Sequence, residues 1–156
     1  MRAIGLVAIV SFVLGGCQSK ETVMNAGQLK DFGTRYTSAW NSQTASRVAE
    51  FFAEDGSLQI NEGVPSVGRS AITSTAQSFM TALPDMVLTM DEVSIQGDRV
   101  VYRWTLVGTN TGPGGTGNAV HVSGYEEWTF GPDGLIAKSL GHMDEAEYQR
   151  QLDEGI

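Results

Sequence analysis

The sequence predicts an α+β fold in which a curved, mostly antiparallel sheet packs on about three helices. Three observations carry this. Large apolar residues recur at helical spacing in the first half of the chain, four alternating stretches follow one another in the second half, and short turn signals separate those stretches.

The first helix is announced by Leu29, Phe32, Tyr36 and Trp40, spaced three and four residues apart, and stops at Asn41-Ser42. Thr44 is placed to cap a short second helix that turns Val48, Phe51 and Phe52 inward. Asp55-Gly56 leads into the short strand "SLQI". "VGRSAITSTAQSFMTALPD" reads as a third helix, with Ile72, Ala76, Phe79 and Leu83 on one side and Pro84 beyond its end. Strands then follow: "MVLTMDEVSIQ", a Gly97-Asp98 turn, "RVVYRWTLVGT", a glycine-rich hairpin, "AVHVSGYEEWTF", the turn "GPDG", and "LIAKSLGHM". An amphipathic segment from Glu145 to Leu152 closes the chain as a helix covering the sheet edge.

Ahead of this domain stands "MRAIGLVAIVSFVLGGC", with one positive residue, Arg2, and an apolar run from Ala3 to Leu14. The run is too short for a membrane-spanning helix, which takes about 20 apolar residues. It reads as a cleaved leader. Its end, Leu14-Gly15-Gly16-Cys17, resembles the bacterial lipobox, which implies cleavage before Cys17 and acylation of its thiol. The expected organisation is a leader at 1–16, a polar tether at 17–27 and one domain at 28–156. Cys17 is the sole cysteine, so the chain forms no internal disulfide. Gln18 after the cysteine resembles lipoproteins sorted to the outer membrane, which implies attachment at its periplasmic face. The formal net charge of −8 becomes one unit more negative without Arg2. Such an acidic chain is unsuited to nucleic acid and is repelled by anionic headgroups, leaving the acyl group as the membrane contact.

The segments "YTSAWNSQTASRVAEFFAEDGSL", "GRSAI", "LPDM", "DRVVYRWTLVGTNTG" and "FGPDGLIAKSLGHMD", in this order, resemble the SnoaL-like, polyketide cyclase-like branch of the NTF2-like superfamily. The resemblance spans about Leu29 to Leu152. It implies a cone of sheet and helices around a cavity open at one end, and dimers joined through the outer sheet face. It also implies cofactor-free chemistry in some relatives and plain binding or scaffolding in others, so the function has to come from the site.

Cofactor-free enolate chemistry needs a base beside an α-carbon and a donor for the oxyanion. Cyclase-like relatives carry an acid on the last strand, where this chain has Leu140 and Gly141. The nearest titratable groups are His142 and Asp144, the candidate catalytic pair, with a strand-end imidazole and a helix N-cap as their structural alternatives. Arg103 faces opposite to Tyr102, Trp104 and Leu106 by alternation. Epoxide-hydrolysing relatives pair an inward arginine with an aspartate two residues on, a position held here by Thr105. An inward Arg103 would need a carboxylate such as Glu126 or Glu127. The glycine hairpin lacks the lysine and hydroxyl of a phosphate loop, and Asn110 stands where cyclase-like relatives often have histidine. His121 and His142 have no metal-ligand spacing, so neither metal nor cofactor is expected.

The expected ligand-binding set is Tyr36, Trp40, Phe52, Phe79, Arg103, Trp104, His121 and Trp128, lining a cavity for a small apolar molecule. Two alternatives stay open: a cyclase or isomerase using His142 or Asp144, and a ligand-free dimeric scaffold. A filled aromatic core accounts for the aromatic residues equally well at this stage.

Overall fold

The computed structural model describes residues 24–156; the leader, Cys17 and most of the tether lie outside the described residues. Four helices pack on one six-stranded, curved and unclosed sheet. Helix α1 spans Ala26–Asn41, α2 Ala45–Ala49, α3 Arg69–Ala82 and α4 Glu145–Glu154. The strands are β1 Phe52–Ile60, β2 Ser66–Val67, β3 Val87–Gln96, β4 Arg99–Thr109, β5 Ala119–Phe130 and β6 Ile136–Met143. Their order across the sheet is β2-β1-β6-β5-β4-β3. All neighbours are antiparallel except β1 and β6, which run parallel.

Three local differences from the sequence reading have clear causes. Helix α1 starts at Ala26, inside the stretch assigned to the tether, because Asn25 and Gln28 form a reciprocal capping box. Phe52 opens a nine-residue strand instead of ending α2, since β1 finds a partner in β6 that no local pattern announces. Thr44 occupies the cap position of α2 without a side-chain cap bond.

Three of the helices are tied to the sheet at defined points. The Asn41 side chain accepts from the Leu88 N–H at 2.7 Å and donates to the Leu88 carbonyl at 2.8 Å, so the end of α1 is locked to β3. Gly33 permits the close approach of the two elements: a Cβ there would stand 2.7 Å from the Met90 sulfur. Arg69 Nε donates to the Phe52 carbonyl at 2.9 Å, anchoring α3 on β1. The α4 helix hangs on Gln151, which accepts from the His121 N–H at 2.6 Å and donates to the His121 carbonyl at 3.1 Å.

The glycine hairpin between β4 and β5 serves the framework. Gly112 packs so closely on the end of α3 that a Cβ would lie 1.9 Å from the Thr81 carbonyl oxygen. Thr116 and Asn118 both donate to the Leu152 carbonyl, joining the same hairpin to α4. Among the described residues no helix is long and apolar enough to cross a membrane.

Candidate functional site

The concave side of the sheet divides into a filled base and a hollow mouth. Alternation along β4 sends Tyr102, Trp104 and Leu106 inward, and along β5 it sends Val120, Val122, Glu126 and Trp128 inward. At the base, Tyr36 sits at the centre of an aromatic cluster, with Trp128, Tyr102 and Phe51 at ring separations of 5.1, 5.5 and 5.5 Å. Tyr102 and Trp128 stack at 4.7 Å. Tyr36, Phe52 and Trp128 are wholly buried here and do not border the hollow. Such edge-to-face and stacked pairs add stability beyond burial alone, which suits a core.

The mouth holds a partly open cavity of about 60 Å³. Trp40, Phe79 and Trp104 form its aromatic wall, and Leu58, Ile60, Met86, Leu88 and Leu106 complete most of the apolar lining. Trp40 and Phe79 meet edge to face at 6.2 Å, and Phe79 in turn contacts Tyr148 of α4 at 6.1 Å. The Trp40 Nε1 is buried without a hydrogen bond.

One acidic residue also borders this cavity. Glu126, only 7% exposed, accepts hydrogen bonds from Ser139 Oγ at 2.6 Å and Trp128 Nε1 at 2.8 Å. The Tyr36 hydroxyl lies 3.2 Å from both carboxyl oxygens and donates to them. Burial raises the Glu126 pKa, while the bonds from Ser139, Trp128 and Tyr36 work against that rise. Burial, followed by the Glu126 charge, pushes the Tyr36 pKa well above the usual phenol value. The sequence alone suggests Glu126 only as a counter-ion for Arg103. The signal for its real position was present: it shares parity with Val120, Val122 and Trp128 on β5.

The remaining expected residues lie elsewhere. Arg103 is on the outer sheet face, with its guanidinium 5.4 Å from the Tyr125 ring and 3.8 Å from Glu92. Glu126 therefore has no contact with it, and Arg103 does not border the cavity. His121 is exposed, and its backbone is held by Gln151 as described. His142 borders the mouth, but its ring stacks on Tyr125 at 4.5 Å, with Nε2 3.8 Å from Glu127 and no hydrogen bond to it. Asp144 caps α4 by accepting from the Glu147 N–H at 2.9 Å. The structure thus gathers Trp40, Phe79 and Trp104 with Glu126, and does not gather Arg103, His121 or Asp144 with them. Among the described residues no group of three His, Cys, Asp or Glu is placed to hold a metal ion.

Four helices on a curved, unclosed six-stranded sheet with a hollow mouth give this chain the α+β cone expected from the sequence. The SnoaL-like domain model matches residues 34–139, and the chain belongs to this family. A putative SnoaL-like polyketide cyclase from Jannaschia sp. CCS1 superposes with a TM-score of 0.68 at 14% identity, over 86% of this chain and 100% of that one. AclR, a putative hydroxylase from Streptomyces galilaeus, gives 0.70 at 22% identity over 83% of each chain. A ketosteroid isomerase-like fold from Catenulispora acidiphila, solved with trimethylamine, gives 0.69 at 16% identity over 79% and 92%. At these identities the likeness is one of fold. No curated protein matches the sequence.

Proposed function

We propose that this protein binds a small, mainly apolar molecule in the mouth of its cone, while a lipid on Cys17 holds it at the bacterial envelope. The observation that carries the reading is the cavity itself: three aromatic residues and several aliphatic ones surround a void that one buried acidic residue also borders. Apolar walls with one fixed polar group are the usual composition of a small-molecule site. The volume of about 60 Å³ is far below the roughly 300–1,000 Å³ of sites for drug-sized ligands, so the occupant has only a few heavy atoms. Catalysis is not part of this reading, because His142 turns its ring onto Tyr125 and Asp144 is engaged as a helix cap. Two copies pair through the outer sheet face in this account, where Val87 and its register partner Val107 are exposed together.

Trp40 and Trp104 supply the assay, since both border the void. Cyclopentanol added to the protein is expected to shift tryptophan emission saturably, and Ile60→Phe, which fills the mouth, is expected to remove that response. Emission unchanged at every concentration, or a response that survives Ile60→Phe undiminished, would contradict the assignment.

A further inference from the structure

We propose that the occupant of this cavity is a small organic cation, an alkylammonium whose charge lies between the Glu126 carboxylate and the rings of Trp40, Phe79 and Trp104. The inference rests on the cavity being a binding site and supplies the chemistry of its ligand.

The first observation is the company Glu126 keeps. Its partners are Ser139 Oγ, Trp128 Nε1 and the Tyr36 hydroxyl, which donate to it without bringing a positive charge. Trp128 Nε1 can only donate, and both hydroxyls are able to, which suits a carboxylate. Yet among the described residues no lysine or arginine borders the cavity or bonds to Glu126. The basic group nearest the mouth, His142, has its Nε2 3.8 Å from Glu127 on the outer face. Of the other cations on the neighbouring strands, Arg103 stands over Tyr125 on that face, Arg99 bonds to Glu127, and Lys138 is exposed. A buried carboxylate without a counter-ion is costly, and a ligand cation would remove that cost.

The second observation is the wall opposite. Aromatic faces carry negative potential and attract ammonium groups within about 6 Å, more strongly when water is excluded. Trp40 borders the void, with its Nε1 buried. The third is size: the cavity of about 60 Å³ suits a compact ion and excludes a fused-ring molecule. The acidic balance of the chain, −8 overall, favours capture of cations at long range.

The test compares tetramethylammonium with tert-butanol, a neutral molecule of similar size, by NMR titration of the full chain in a non-ionic detergent. Backbone amide shifts of Trp40, Trp104 and Gly141 report on the cavity. Tetramethylammonium is expected to bind at least about tenfold more tightly than tert-butanol. Glu126→Gln is expected to weaken tetramethylammonium about tenfold and to change tert-butanol binding far less. Trp104→Leu, at the mouth and outside the Glu126 hydrogen-bond set, should weaken the cation several-fold and keeps the test valid if Glu126→Gln fails to fold. Equal binding of both probes, or a cation affinity indifferent to both variants, overturns the cation inference and leaves the apolar site standing. If neither probe moves the cavity amides, both fall.

Discussion

Glu126 is the residue on which the chemistry of this domain turns, and its pH dependence can be derived with its sign. Burial holds its pKa in the fold above the ordinary carboxylate value. Between the unfolded and the folded pKa, the native state keeps a proton that the unfolded chain has lost. Stability is therefore fully present below the unfolded value and declines as pH rises towards the folded one. Glu126→Gln keeps the shape and cannot ionise, so this decline should vanish. Urea unfolding at a series of pH values from 4 to 8 checks it: the wild type is expected to lose stability relative to the variant as pH rises. Parallel curves would show that Glu126 titrates normally. At this scale the sequence was legible for Trp40, Phe79 and Trp104, whose size and spacing point inward. It was less so for Glu126, because an acidic residue invites a surface reading unless the parity of β5 is followed through Val120, Val122 and Trp128. Arg103 illustrates the opposite case. Alternation alone put it opposite the Trp104 face, and only the analogy with water-activating relatives drew it inward.

Among the elements, α4 has the most conditional attachment. Its one fully buried side chain is Gln151, and that amide satisfies both backbone groups of His121 on β5. Thr116 and Asn118 hold the Leu152 carbonyl as a second fastening. Gln151→Ala leaves a backbone donor and acceptor to find water, at a cost of about 1–3 kcal/mol. Hydrogen exchange should accelerate across Glu145–Glu154 far more than in β4 or β5, and a uniform change over the whole chain would contradict this local role. Because Phe79 touches Tyr148, loosening α4 also loosens one wall of the cavity. The helices and the four long strands were readable from periodicity. Strand β2, two residues long, was not, nor was the parallel pairing of β1 with β6. Both depend on partners distant in the chain, and a nine-residue strand beginning at Phe52 carries too mixed a pattern to identify itself.

For the whole molecule, the account joins a packed aromatic base to a small hollow mouth. The sequence pointed to the cone but left open how much of its aromatic content was core. The structure divides that content: Tyr36, Phe52, Tyr102 and Trp128 fill the base, while Trp40, Phe79 and Trp104 border the space left over. That division follows from volume, since four wholly buried rings on four elements leave a void only where the sheet opens away from α1 and α3. It also shapes the expected ligand, because a cone this full admits a few atoms only. Native mass spectrometry of the protein extracted gently from its own host, compared with Ile60→Phe, tests this most directly. The account predicts acylated dimers that carry a small retained mass in the wild type and none in the variant. Wild type and variant with identical, ligand-free masses would contradict it.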